Sequence, residues 1–468
     1  MSDTVATSRL FDRAIRRIAN VWRDMASSVS SEEDASLQDR MQACLDARGG
    51  EVSARARAAQ LADSYLTLDA TGRQDFLRTL AGFDSDPAAV TAAYETVQQA
   101  ADPAARAQAQ AALRRALEPP RLKLLLQFTA IPDGVKFLVD LRATLLDLMK
   151  GDPHLMALES DMRALLNSWF DVGFLELRRI DWTSSAALLE KLVGYEAVHE
   201  IRSWSDLKNR LDSDRRCYAL FHPRMPSEPL IFVEVALVHG LADSVQRLLD
   251  KKAPVLDPKT ADTAIFYSIS NCQRGLAGIQ FGNFLIKRVV RLLSAEFRNL
   301  KAFATLSPIP GFRRWLDAKL RAEDTTGLLS EEEASSLRTA APPEQEAAQT
   351  GAAALQAILA TRGWQRNAVM RDAVAPVLTR LCARYLLAEG KGNRALDPVA
   401  HFHLSNGARV ERLSMGADTS DKGVKESATL MVNYLYDPAK IEDYHEDYAG
   451  NGKRNASTAV RRLARGWA

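Results

Sequence analysis

Apolar residues in the first ~190 positions recur at the three-and-four spacing of helices rather than the alternation of strands. Leu10, Ile15, Ile18 and the Val21-Trp22 pair carry the first such stripe. A polar stretch at 28–35 interrupts it with residues suited to capping. Segments 51–66 and 86–117 are alanine-rich with charges spread around them, and 131–148 is a longer amphipathic run. Pro103, Pro119-Pro120 and Pro132 mark helix starts or stops, because proline suits a first turn and breaks an interior. Residues 1–195 are therefore expected to form a helical bundle for packing and assembly. No catalytic arrangement is visible in them.

The pattern changes near residue 200. Segments 216–222 and 229–239 read as strands rich in β-branched and aromatic residues, with 223–228 as the turn between them. A short helix at 241–251, a strand at 264–270, a glycine-rich turn, a helix over about 282–299 and a strand at 301–306 follow. Residues 323–398 look like an insertion with helical patterns at 330–337, 344–361 and 369–387. The sheet is expected to resume at 401–404 and 409–415, while 424–436 fits a helix or a strand. The polar tail from 442, ending in Arg461, Arg462 and Arg465, is expected to be partly mobile. The fold class is thus multi-domain α and α+β: a helical bundle at 1–195, then a mixed-sheet domain at 196–468 with a helical insertion at about 323–398.

Composition narrows the function classes. At 468 residues, 47% hydrophobic and 26% charged, the chain is globular and long enough for two cores. Its 61 basic and 59 acidic residues leave a net charge of +2, which excludes a surface built throughout for nucleic acid. Cys44, Cys217, Cys272 and Cys382 form no CxxC pair, so neither a zinc site nor a dithiol redox site is indicated. Reduced thiols in the cytoplasm, of a bacterial cell, are the expectation. No apolar run reaches the length of a membrane span, and no secretory h-region is visible. The basic amphipathic pattern at 8–23 is like a mitochondrial presequence, but Asp3, Asp12 and Asp24 count against one. Gly466-Trp467-Ala468 is not a peroxisomal address.

Four constellations carry candidate chemistry. The first is the turn holding Gly275, Gly278, Gln280, Gly282 and Asn283, which leads into a helix. It fits a diphosphate at a helix N-terminus or close packing of backbone on backbone. The second is a cluster of seven Lys or Arg, Lys287 and Arg288 among them, against one acid between Leu285 and Leu316. Such a local positive field suits a ligand with several phosphates, or is a solvated helix face. The third is Ser307 before Pro308-Ile309-Pro310-Gly311, where the prolines hold the hydroxyl in one place. It is either a turn residue or one well-aimed hydrogen-bond donor. The fourth is His401-Phe402-His403, whose two imidazoles share a face if the segment is a strand. No third ligand is evident, so one functional imidazole is expected rather than a metal site.

These residues resemble the malonyl-CoA decarboxylase family. The similarity runs through 266–270, 275–290, the Leu306-Ser-Pro-Ile-Pro-Gly-Phe312 run, 397–408 and Asn433-Tyr434-x-Tyr436. The resemblance implies a helical bundle followed by a catalytic domain like the GNAT acetyltransferases, in which the glycine-rich turn holds the CoA diphosphate. It also implies two strands that splay apart, with backbone amides after Ser270 available to the acyl carbonyl. Ser307 and His403 stand at the family's catalytic Ser and His, and Tyr436 at a Tyr that lines the site. Ser270, Gly275, Gly278, Gln280, Gly282, Asn283, Lys287 and Arg288 are the implied substrate contacts. Gln280 stands where other members carry Glu, which removes a charged role there and keeps hydrogen bonding. The implied reaction converts malonyl-CoA to acetyl-CoA and CO2 with no metal or organic cofactor, in a homo-oligomer (dimer or tetramer) that uses neither nucleic acid nor membrane. A GNAT-type acyltransferase and a non-catalytic CoA-binding scaffold are the competing readings.

Overall fold

The computed structural model describes residues 20–25, 35–46, 50–279, 282–322, 327–342 and 350–465. Most of the first apolar stripe (Leu10, Ile15, Ile18), segment 344–349 and Gln280 therefore lie outside the described residues. The chain divides into two compact units. One comprises Met1–Glu176, Phe221–Leu230 and Asn271–Phe281; the other comprises Leu177–Leu220, Ile231–Ser270 and Gly282–Ala468.

The first unit is helical: Leu37–Leu45, Gly50–Thr67, Ala70–Gly82, Pro87–Gln99, Pro103–Leu117, Arg121–Phe128, Gly134–Leu148 and Pro153–Trp169. Three of these helices start with the same device. Asp86, Asp102 and Asp152 each accept a hydrogen bond from a first-turn N–H, and a proline follows at the first helical position. That proline lacks an N–H the helix has no partner for anyway. Phe76, Leu80, Phe128, Phe137, Leu141, Leu155 and Leu158 form the core. The two later segments belong to this unit through side-chain contacts. His222 packs on Phe170 with ring centroids 4.7 Å apart, and its Nε2 lies 3.1 Å from the Trp169 carbonyl. Buried Arg142 pairs with Glu159 at 2.6 Å and donates to the Gly275 and Ala277 carbonyls at 2.5 and 3.0 Å.

The second unit is built on a mixed sheet. Its strands are β1 (Glu176–Ile180), β2 (Arg215–His222), β3 (Met225–Val238), β4 (Thr263–Asn271), β5 (Ala302–Thr305) and β6 (Ser307–Pro308). A small hairpin of β7 (Gly390–Lys391) and β8 (Arg394–Ala395) stands apart, and β9 (Arg409–Ser414) and β10 (Met431–Leu435) return to the sheet. The order is β1-β2-β3-β4-β5-β10-β6, with β9 also on β10. β4 and β5 run parallel from Thr263↔Ala302 to Phe266↔Thr305, and the Leu306 N–H still reaches the Phe266 carbonyl at 3.0 Å. β4 continues to Asn271 past the end of that pairing. The 323–398 region carries the helices Glu331–Ala340, Gly351–Ala360 and Ala368–Leu387.

Four expectations are corrected. Segment 401–404 lies in a helix, Pro398–Ser405, and not in a strand. β1 interrupts the region read as helical, because Glu-Leu-Arg-Arg-Ile shows too little apolar alternation to register as a strand. The turn between β2 and β3 is Pro223-Arg224, and Met225 to Glu228 already extend as strand; two residues suffice to join neighbouring strands. The tail forms the helices Ile441–Asn451 and Thr458–Arg465, the first closed by Gly452 at φ +65°. A parallel bridge of Val410 to Ala456 and a Ser457 N–H bond to the Val410 carbonyl tie the link between them to β9.

Candidate active site

Ser307 opens the short β6, where Val432 of β10 pairs with it. His403 lies on the helix Pro398–Ser405, and Tyr436 follows β10 with its N–H on the Phe303 carbonyl at 2.8 Å. Three distant parts of the chain thus meet. Ser307 Oγ lies 3.1 Å from His403 Nε2, and His403 Nδ1 lies 2.7 Å from the Tyr436 hydroxyl. Ser307 Oγ also donates to Thr305 Oγ1 at 2.8 Å, and Thr305 Oγ1 accepts the Tyr434 N–H at 3.1 Å. The Tyr434 ring stacks on the imidazole at 4.5 Å and 25°.

One carboxylate holds this arrangement in place. Asp397 caps the His403 helix by accepting the Val399 and Ala400 N–H groups at 3.0 Å each. Its other oxygen accepts the Gly311 N–H at 3.2 Å and the Tyr385 hydroxyl at 3.4 Å. The Pro-Ile-Pro-Gly corner after Ser307 and the helix bearing His403 are therefore fastened to the same side chain. Hydrogen bonds to a charged acceptor of this kind are worth roughly 1.5–3 kcal/mol each. Gly311 is required by this approach: a Cβ there would lie 2.1 Å from the Tyr385 hydroxyl.

Burial sets the electrostatics. His403 is pushed down to about 3 because its ring is removed from water and no carboxylate compensates. The Tyr436 phenol is held well above its usual range for the same reason. Burial also raises Asp397, against the bonds from Ala400, Gly311, Val399 and Tyr385 that favour its charge. The imidazole is consequently neutral at pH 7, with one ring proton and one lone pair. Such a site can pass a proton between a phenol, a neutral imidazole and a hydroxyl without water.

The other expected residues are placed as follows. Gly275 packs on the helix Gly134–Leu148, where a Cβ would lie 1.7 Å from the Val139 carbonyl oxygen, so close packing demands glycine there. Gly278 adopts φ +79° with open space around it, a conformation that favours glycine. Gly282 and Asn283 open the helix Gly282–Glu296. Lys287 is paired with Glu442 at 2.9 Å, and Arg288 stands over the Phe284 ring. The positive field read from the local sequence is thus partly met by an acid 155 residues away. The amide of Cys272, among those expected to face the acyl carbonyl, is spent on the Leu230 carbonyl at 2.9 Å. His401 bonds the Tyr448 hydroxyl at 2.8 Å; on a helix, residues two apart diverge by ~200°, so the two imidazoles do not share a face. Among the described residues no group of His, Cys, Asp or Glu is arranged to hold a metal ion.

Thr305 and Glu196 stand out beyond the expected set. The Glu196 carboxylate accepts Ser268 Oγ at 2.8 Å and Ser270 Oγ at 3.3 Å, together with the Val198 and His199 N–H groups at 2.9 and 2.7 Å. Alternation along β4 puts Ser268 and Ser270 on the face of Phe266, whose ring lies 6.4 Å from that of Tyr436. The polar face of the site therefore extends along the end of β4. No local motif signals Thr305, but its spacing of two from Ser307 is a hint available in retrospect.

The sequence profile described as "Malonyl-CoA decarboxylase C-terminal domain" matches residues 173–467, and that described as "Malonyl-CoA decarboxylase N-terminal domain" matches 83–170. The chain belongs to the malonyl-CoA decarboxylase family. Mitochondrial malonyl-CoA decarboxylase of Mus musculus is 38% identical over 374 residues, covering 78% of this chain and 75% of that one. Its counterpart from Anser anser anser is 34% identical over 465 residues, covering 94% and 90%. The crystal structure of malonyl-CoA decarboxylase from Rhodopseudomonas palustris is 42% identical with a TM-score of 0.81, covering 93% of this chain and all, 100%, of that one. Membership in the malonyl-CoA decarboxylase family thus covers both the helical region and the mixed sheet. No helix among the described residues is long and apolar enough to cross a membrane.

Proposed function

We propose that this chain, as a malonyl-CoA decarboxylase, breaks the bond between the α-carbon and the carboxylate of malonyl-CoA and releases CO2 and acetyl-CoA, in fatty-acid and malonate metabolism. The observation that carries this reading is the buried contact of Ser307 Oγ with His403 Nε2 at 3.1 Å, between residues 96 positions apart. The electron pair of the broken bond moves into the thioester carbonyl as an enolate. The substrate is its own electron sink, so the reading needs no pyridoxal, thiamin or metal. Ser307 hydrogen-bonds the malonyl carboxylate or the developing oxyanion, a role commonly worth ~2.7–4 kcal/mol in a dry site. His403 orients the acyl group and passes its Nε2 proton to the α-carbon. Tyr436 lends its proton to Nδ1 as Nε2 gives its own up, and takes it back when solvent reprotonates Nε2. A neutral imidazole suffices as the acid because a thioester enolate is a far stronger base.

Lys287 and Arg288 draw the CoA phosphates by charge. Self-association as a dimer or tetramer and a cytoplasmic location complete the proposal. Incubation with malonyl-CoA alone tests it. Mass spectrometry should find acetyl-CoA and CO2, whereas an acyltransferase would need an acceptor and release free CoA. His403→Asn should lower kcat by ~10²–10⁴ and leave CoA binding within about twofold. Equal loss of turnover and binding would overturn the assignment of roles.

A further inference from the structure

Proton bookkeeping around Ser307 leads to a residue that does not touch the imidazole. Ser307 carries one hydroxyl proton, and it points at Thr305 Oγ1, 2.8 Å away. Thr305 Oγ1 is well placed to receive it, because the Tyr434 N–H fixes the threonine side chain from the other direction at 3.1 Å. With that proton committed, the 3.1 Å contact between Ser307 Oγ and His403 Nε2 needs its proton on the nitrogen. A neutral ring has only one N–H, so Nδ1 then carries the lone pair and accepts from the Tyr436 hydroxyl at 2.7 Å. The order of donation runs Tyr436 to His403 to Ser307 to Thr305. In the reverse order Ser307 would donate to Nε2 and the ring proton would sit on Nδ1, against the geometry that has Ser307 donating to Thr305.

We propose that Thr305 is a positioning residue that sets the tautomer of His403 before substrate arrives, holding the Ser307 hydroxyl turned away from the ring so that the ring proton resides on Nε2; when substrate binds, the hydroxyl swings from Thr305 to the substrate oxygen and Ser307 Oγ still accepts from Nε2. This rests on the reading of His403 as the proton donor to the α-carbon. The consequence is specific: the proton to be delivered already faces Ser307 when substrate arrives, and the tyrosine stands behind it. Thr305 is fully buried, and its side chain makes no other polar contact among the described residues. Burial that depresses His403 to about 3 supports the premise of a single ring proton.

The tautomer can be read directly in the full chain, which contains seven histidines, by NMR of protein carrying 15N-labelled histidine. Wild type should show His403 protonated on Nε2, with the assignment made by loss of the signal in His403→Asn. A wild-type ring protonated on Nδ1 overturns the proposal without any variant. Thr305→Val removes the acceptor and keeps the shape. It should move ring proton to Nδ1 and lower kcat about tenfold or more with KM within about twofold. Thr305→Ser restores the acceptor and should recover both the Nε2 tautomer and most of the turnover. A Ser variant as impaired as the Val variant, or a Val variant with unchanged tautomer, overturns the proposal. Neither of those results touches the decarboxylase reading, which fails if malonyl-CoA alone yields no acetyl-CoA and CO2.

Discussion

His403 keeps its proton balance by isolation from charge, and that has a cost in acid. Burial holds its pKa at about 3, while an unfolded chain presents an imidazole near 6.5. Between those values the unfolded state binds the extra proton, so stability is full above pH ~6.5 and is lost as pH falls toward 3, by ~1.4 kcal/mol per pH unit for one such group. His199, depressed by burial to about 4, acts in the same direction. The thermal midpoint should therefore fall as pH drops from 6.5 to 4.5, and fall less in His403→Gln. An identical acid slope in that variant would contradict the cause. Turnover should show no inflection near pH 6.5 from this ring. Ser307, His403 and Tyr436 were readable in sequence because each stands inside a run of recognisable neighbours. Thr305 was not, since a threonine ending a strand looks like any β-former, and Glu196 was not, since its two serine partners lie more than seventy positions away.

The helix Pro398–Ser405 shows what pattern can and cannot report about an element. His-Phe-His-Leu alternates like a strand, and over four residues two periods cannot be told apart. The signal that favours helix is Asp397-Pro398, the same cap-and-proline start used at Asp86, Asp102 and Asp152. Such a cap favours a helical first turn without deciding it, since Asp257-Pro258 and Asp437-Pro438 lead into turns. Asp397 also joins the helix to the corner after Ser307, and Gly311 is the tightest point of that joint. Gly311→Ala should destabilise the protein and lower kcat, because its methyl meets the Tyr385 hydroxyl. Adding Tyr385→Phe removes the obstructing oxygen and should recover part of both losses. Thermal melts and turnover on the two single variants and the double variant give the coupling, and strictly additive losses would contradict this account of the clash.

Across the whole molecule, the chain leaves the helical unit after Glu176 and returns to it twice, at Phe221–Leu230 and Asn271–Phe281. The switch from helical to strand pattern near residue 200 was legible. Which unit an individual segment joins was not, because periodicity reports the type of an element and not its partner. The returning pieces fill real vacancies: His222 covers Phe170, and the Gly275 and Ala277 carbonyls receive the buried Arg142 guanidinium. A fragment of residues 1–195 should consequently be less compact than its helix content suggests. It should be cut by protease at 134–170 faster than the full chain, and equal resistance would contradict the dependence. The same threading governs biosynthesis. The helical unit is not finished until residue 281 has left the ribosome, so the early helices wait in company with the nascent strands β2 to β4, and the two halves mature on one schedule instead of in turn.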